Sequence, residues 1–179
     1  LPSGRTAMAL ASGFYHTCAI LDDASLYCWG DNGYGQLGDG TNTARTTPTA
    51  VNLPSGRTAI TVSIGRYHTC SVLDNASLYC WGYNGYGNLG DGTTTNKSTP
   101  TQESTGATDW SAIAAGESST FALKSDGTLW AWGHNSSGQL GDGTTIHKNI
   151  PTQESSGATD WSAIAAGNGW SVALKTDGT

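Results

Sequence analysis

The 179-residue chain sets 8 basic against 14 acidic side chains for a net charge of −6, and only 12% of its residues are charged. Lys and Arg form no cluster, which argues against the basic footprint of a DNA- or RNA-binding surface. No run reaches the roughly 20 apolar residues of a membrane-spanning helix, so neither nucleic acid nor membrane insertion is expected.

In chain order, the first apolar run, "TAMALASG", ends at Gly13. A hairpin pattern follows: "CAIL" from Cys18, the turn "DDAS", then "LYCW" to Trp29. Two short apolar runs around polar turn residues are a hairpin signature. Next come the glycine-rich "GDNGYGQLGDGT" and the polar, proline-containing "NTARTTPTA". The whole series then recurs. Trp29-Gly30, Trp81-Gly82 and Trp132-Gly133 are spaced by 52 and 51 residues, and Pro48, Pro100 and Pro151 keep the same steps. A period near fifty means a solenoid or propeller blades. Near-continuous apolar strands suit sheets covered on both faces, as blades are by their neighbours. The units run over residues 1–52, 53–104 and 105–155, with half a unit over 156–179.

Gly13-Phe14-Tyr15-His16-Thr17-Cys18-Ala19, followed by Cys28-Trp29-Gly30-Asp31-Asn32 and Gly35-Gln36-Leu37-Gly38-Asp39-Gly40-Thr41, resembles the repeat of the regulator of chromosome condensation family. The resemblance covers essentially the whole chain. It implies an all-β, seven-bladed propeller, of which this chain supplies about three and a half blades. A full ring needs roughly 350 residues at this period. With no initiating Met, and a "LPSGRTA" opening that recurs at Leu53, the chain reads as part of a longer protein. Its own later repeats, or self-association, are expected to complete the ring.

Cys18 and Cys28 fall opposite each other about the first hairpin turn, as do Cys70 and Cys80 about the second, which predicts two cross-strand disulfides. Phe121 and Ala131 replace the pair in the third unit. Free thiols and a zinc site using His16 or His68 are the competing readings. The missing fourth ligand, and a third unit that carries none of these groups, argue against zinc. Neither metal nor cofactor is expected, and disulfides imply an extracellular or cell-surface location.

The glycine-rich segment reads as turn rather than calcium or phosphate site, because neither the EF-hand ligand alternation nor a following helix is present. His16 and His68 recur at one repeat position without a nucleophile partner, so no catalytic residue is assigned and an enzyme is not expected. Repeats hold scaffold positions constant and free their loops for recognition. The variable triplets are Phe14-Tyr15-His16, Arg66-Tyr67-His68, Glu117-Ser118-Ser119 and Asn168-Gly169-Trp170. They nominate Phe14, Tyr15, His16, Arg66, Tyr67, His68, Glu117, Asn168 and Trp170 as a partner-binding surface, against the alternative that the Tyr and His members pack between blades. A similarity to a secreted bacterial propeller that inhibits β-lactamases implies a protein-binding face. A resemblance to a plant photoreceptor finds only Trp170 in the relevant region, which does not support light sensing. The expected function is a non-enzymatic protein-interaction scaffold. A carbohydrate-binding propeller is the alternative, and a hydrolase comes further behind.

Overall fold

A computed structural model describes residues 1–179 as fourteen β-strands without a helix. The first unit forms the antiparallel sheet β1 (Ala7–Ser12), β2 (His16–Leu21), β3 (Leu26–Gly30) and β4 (Arg45–Ala50), in that order. The second repeats it as β5 (Ala59–Ile64), β6 (His68–Leu73), β7 (Leu78–Gly82) and β8 (Lys97–Gln102). The third follows with β9 (Trp110–Ala115), β10 (Ser119–Lys124), β11 (Leu129–Gly133) and β12 (Lys148–Gln153), and a final pair is β13 (Trp161–Ala166) with β14 (Ser171–Lys175). The first strands β1, β5, β9 and β13 neighbour one another, which makes them the inner strands of successive blades. The proline-bearing β4, β8 and β12 are the outer edges, where a residue without an N–H costs no ladder bond.

The apolar strands bury both faces because blades stack. Cys18, Ile20, Leu26 and Cys28 of the first blade form one cluster with Ala59 and Trp81 of the second, against which Val62 and Ile64 pack. Cys70, Val72, Leu78 and Cys80 meet Trp110, Ala122 and Trp132 of the third blade in the same way. The interface also has a polar key. Trp81 Nε1 donates to the Gln36 carbonyl of the preceding blade at 2.9 Å, and Trp132 Nε1 donates to the Asn88 carbonyl at 2.9 Å. A Cβ on Gly38 would lie 2.7 Å from Trp81 Nε1, so glycine is what lets the indole close on the neighbouring loop.

Both predicted disulfides are present, with Cys18 opposite Cys28 and Cys70 opposite Cys80 in register and Cα–Cα separations of 4.1 Å. Such close approach is typical of the non-hydrogen-bonded type of antiparallel pair. Phe121 and Ala131 oppose each other at the matching place and fill it as an apolar pair.

The glycine-rich loops are built as turns around a buried asparagine. Asn32 Nδ2 donates to the Thr41 and Thr43 carbonyls and to Asp39, and its Oδ1 accepts from the Leu37 amide. Asn84 and Asn135 repeat the arrangement. Asp39 accepts from Thr41 and pairs with Arg45. Burial works against its charge, but these donors outweigh it and hold its pKa below the usual carboxylate value. Its oxygens are thus spent inside the turn.

Candidate interaction face at one end of the array

Strand direction decides which loops share an end. Each inner strand runs to the end where the triplets sit, the second strand returns, and the third comes back to that same end. The long loop between third and fourth strands, residues 31–44 in the first unit, therefore emerges beside the triplet. Backbone bonds tie the two loops: the Asp31 amide donates to Tyr15 O at 2.9 Å, Tyr83 to Tyr67 O at 2.8 Å, and His134 to Ser118 O at 2.9 Å.

On this frame the aromatic side chains form a continuous ladder across three blades. Phe14 lies 6.2 Å from Tyr15, which stacks on Tyr67 with centroids 5.1 Å apart and planes within 11°. Tyr34 meets Tyr67 and Tyr83 edge to face at 5.1 and 5.2 Å. Tyr83 continues to Tyr86 at 6.1 Å, and Tyr86 to His134 and His147 at 4.8 and 5.1 Å. The Arg66 guanidinium lies over both Phe14 and Tyr67 and pairs with Glu117 on the next blade. The Tyr67 phenol, then the Arg66 charge, lower the Tyr15 pKa, while the same Tyr15 contact, followed by burial, raises that of Tyr67. Beside the ladder runs a groove of about 420 Å³, lined by Tyr34, Arg66, Tyr67, Tyr83, Tyr86, Glu117, His134, Gln139 and Asn168 among others.

Of the nominated residues, Phe14, Tyr15, Arg66, Tyr67, Glu117 and Asn168 thus lie on this end, in the ladder or along the groove. Three do not belong there. His16 and His68 are buried at 3% and 0% exposure, a correction to their nomination as surface contacts. They follow the second residue of each triplet, where the strand has already turned into the blade interface. His16 Nε2 meets Thr69 Oγ1 at 2.7 Å, and His68 Nε2 meets Thr120 Oγ1 at 3.0 Å. Each threonine donates its own proton to the Gln36 or Asn88 carbonyl at 2.8 Å. The histidine must then be the donor, with its proton on Nε2, and Nδ1 of both rings is left buried without a partner. Burial pushes the His16 pKa down to about 4, and burial followed by the nearby His16 pushes that of His68 down to about 3. Both are neutral interface wedges. Trp170 occupies the same triplet position in the final unit. It is exposed, but it packs against Gly167 of its own unit rather than joining the groove wall.

Sequence reasoning missed Tyr34, Tyr83, Tyr86, His134 and His147, five of the eight rings of the ladder. A signal existed: positions 31, 83 and 134 hold Asp, Tyr and His inside an otherwise repeated segment. Counting strand reversals would have placed that loop with the triplets.

Stacked four-stranded blades, keyed by a Trp–carbonyl bond and carrying a variable loop face at one end, define a β-propeller repeat array. The regulator of chromosome condensation (RCC1) repeat matches residues 23–72, 75–123 and 126–174, and the chain belongs to that family. It is 38% identical over 145 residues to the ultraviolet-B receptor UVR8 of Arabidopsis thaliana, covering 80% of this chain and 33% of the receptor. It is 35% identical over 136 residues to the X-linked retinitis pigmentosa GTPase regulator of Mus musculus, covering 75% of this chain and 14% of the relative. Among solved structures, Prp20p of Saccharomyces cerevisiae superposes with a TM-score of 0.83 at 22% identity, over 93% of this chain and 43% of that one. Human WBSCR16 does so with a TM-score of 0.84 at 22% identity, over 97% and 46%. The chain spans a third or less of these curated relatives.

Proposed function

We propose that this chain is a non-enzymatic interaction module that binds a protein partner through the loop end carrying the aromatic ladder, in an oxidising compartment outside the cell. The observation that carries the reading is the ladder itself. Aromatic rings and an arginine gathered on one face are the residue types that dominate binding hot spots, and here variable loop positions on a repeated frame supply them. Among proteins of this fold, Prp20p has binding properties toward Gsp1p and histones, and yeast RCC1 has been solved with Kap60 bound, which supports protein as the partner kind. The two disulfides support the compartment, because such bonds persist where thiols are not kept reduced. Leu10 of β1 is exposed at the repeat position that Val62 covers in the second blade, and Val172 and Leu174 of β14 are exposed at the far end. We take these two faces to be covered by further blades or by a second copy, which light scattering on the isolated chain tests.

The experiment for the main reading is affinity capture from the extracellular milieu with wild type and Tyr67→Ala in parallel. A protein retained by wild type, insensitive to free sugars and lost by about 30-fold in affinity on truncation, the equivalent of a 2 kcal/mol hot spot, supports it. Retention abolished by free oligosaccharide would move the assignment to a lectin.

A further inference from the structure

The blade interfaces repeat one seat for tryptophan. In the first interface the Gln36 carbonyl accepts from Trp81 Nε1 and Thr69 Oγ1, and in the second the Asn88 carbonyl accepts from Trp132 Nε1 and Thr120 Oγ1. Both indoles are fully buried, and each lies against the glycine two residues beyond its acceptor. A Cβ on Gly38 would come within 2.7 Å of Trp81 Nε1, and one on Gly90 within 2.8 Å of Trp132 Nε1. The tryptophans arrive on strands of one pattern, Leu78-Tyr79-Cys80-Trp81-Gly82 and Leu129-Trp130-Ala131-Trp132-Gly133, in a register that sets Trp81 opposite Thr69 and Trp132 opposite Thr120.

The third blade builds the same seat as a cavity. Gln139, Leu140 and Gly141 hold the places of Gln36, Leu37 and Gly38, and Gly141 keeps the backbone, with φ of 67° against 70° at Gly38. The Gln139 carbonyl accepts from Ser171 Oγ at 3.0 Å, the counterpart of the threonine bond. No atom lies within 4 Å of the position a Gly141 Cβ would take. A cavity of about 150 Å³ adjoins it, walled by Phe121, Leu140, Trp161, Ile164 and Val172 among others. Beside the cavity β14 pairs only with β13, so its other edge carries unpaired ladder groups, which are a template for a further strand.

We propose that this is a strand-acceptor site, which binds an extended segment of a different polypeptide carrying the pattern Leu-x-x-Trp-Gly. The segment adds antiparallel to β14, and its tryptophan enters the cavity and donates from Nε1 to the Gln139 carbonyl. Strand addition takes its affinity from main-chain bonds and its specificity from pockets for side chains. The filled seats set the register: the tryptophan stands opposite Ser171 as Trp132 does opposite Thr120, and the leucine opposite Leu174 as Leu129 does opposite Leu123. The walls and the acceptor together select tryptophan, because phenylalanine would satisfy the apolar walls but bring no donor. This assignment does not rest on the reading of the aromatic face.

The test is fluorescence anisotropy of the full chain with a labelled peptide copying residues 128–135, Thr-Leu-Trp-Ala-Trp-Gly-His-Asn. Saturable binding is expected. Alanine at the second tryptophan of the peptide should weaken it by at least about 30-fold, as for a buried hot spot. In that place 1-methyltryptophan, which keeps the ring but cannot donate, should weaken it by about 10-fold, as for a buried hydrogen bond. On the protein, Gly141→Asn introduces a residue that tolerates the left-handed backbone and puts a side chain into the cavity. It should weaken binding of the unmodified peptide by at least about 10-fold, with a melting temperature near wild type. No saturable binding, equal binding of the three peptides, or binding indifferent to Gly141→Asn overturns the proposal. Dimers of the chain that exclude the peptide, with binding regained only on dilution to monomer, would give the seat to a second copy and overturn the assignment to a foreign strand.

Discussion

Acid should loosen the blade interfaces through His16 and His68 before it touches the carboxylates. Both imidazoles are neutral in the folded chain, with pKa values near 4 and 3 set first by burial, whereas an unfolded imidazole titrates near 6.5. The unfolded state therefore binds more protons as pH falls below about 6.5, so stability falls in that direction. At pH 5 each unfolded imidazole gains about 2 kcal/mol from protonation while the folded one gains almost nothing, so the pair costs the fold about 4 kcal/mol relative to pH 8. That is a large part of a typical stability of about 5 to 15 kcal/mol. At about 2 to 4 °C per kcal/mol for a chain of this size, the melting temperature should drop by about 8 to 16 °C. Hydrogen bonds and nearby cations hold Asp39, Asp91 and Asp142 below the ordinary aspartate value of about 3.9 despite burial, so their contribution is lost only at pH below about 4, outside this window. His134 is also lowered, first by burial and then by His147, and adds a smaller term of the same sign. Calorimetry of wild type and His16→Gln/His68→Gln at pH 8, 6.5 and 5 separates these contributions. Glutamine keeps an N–H donor for Thr69 and Thr120 but does not titrate, so the variant should lose most of the pH dependence. A wild-type melting temperature that is flat from pH 8 to 5, or a double variant that keeps the full slope, would refute the burial argument.

The hairpin turns offer a paired test. Ala24 and Ala76 sit at φ of 60° and 59° where later units have Gly127 and Gly178, so Ala24→Gly and Ala76→Gly should each stabilise the chain by up to about 1 kcal/mol in urea titrations. At Gly127 an added Cβ would collide with the Thr159 carbonyl, and Gly127→Ala should destabilise. Reducing either disulfide, each closing a sequence separation of 10, should cost about 2 to 3 kcal/mol in the chain-entropy model. Replacing Cys18 and Cys28 by the Phe and Ala of the third unit should recover part of that loss and confine the remaining sensitivity to dithiothreitol to Cys70–Cys80.

The parts legible in the sequence were those whose physics is local. The Cys18 and Cys28 positions about a four-residue turn determine both hairpin register and disulfide, and the fifty-residue period determines blades. Arg45–Ala50 was harder to read as a strand because "RTTPTA" is polar and holds a proline; it becomes one only as an outer edge. His16 and His68 could not be separated from Tyr15 and Tyr67 by residue type, since all four are amphipathic. What separates them is a single step along the strand, which turns the side chain from the loop end into the interface. Tyr34 and Tyr86 sat inside a segment whose repetition read as scaffold, although the rings themselves are surface groups resting on that scaffold.

The aromatic face can change its residues because what positions it does not depend on them. Tyr15, Tyr67 and Ser118 each hold the following loop through a backbone carbonyl, so the third unit keeps the same tie with a serine where the first two have tyrosine. The opposite end is also tied through backbone carbonyls, those of Ala24, Ala76 and Gly127 accepting the Ala59, Trp110 and Trp161 amides of the next blade, but its turns depend on their side chains as well, because Asp23, Asn75 and Asp126 cap them. Side-chain variation is therefore left to the loop end, where the proposed recognition face lies. Tyr15→Ser/Tyr67→Ser, which copies the third unit into the first two, should sacrifice ring stacking between an exposed and a half-buried tyrosine, about 0.5 to 1.5 kcal/mol for the pair, while weakening partner binding by at least about 30-fold. A stability loss of about 3 to 5 kcal/mol, the range for emptying a core site, would instead mean that these rings hold the blades together and that the face is architecture.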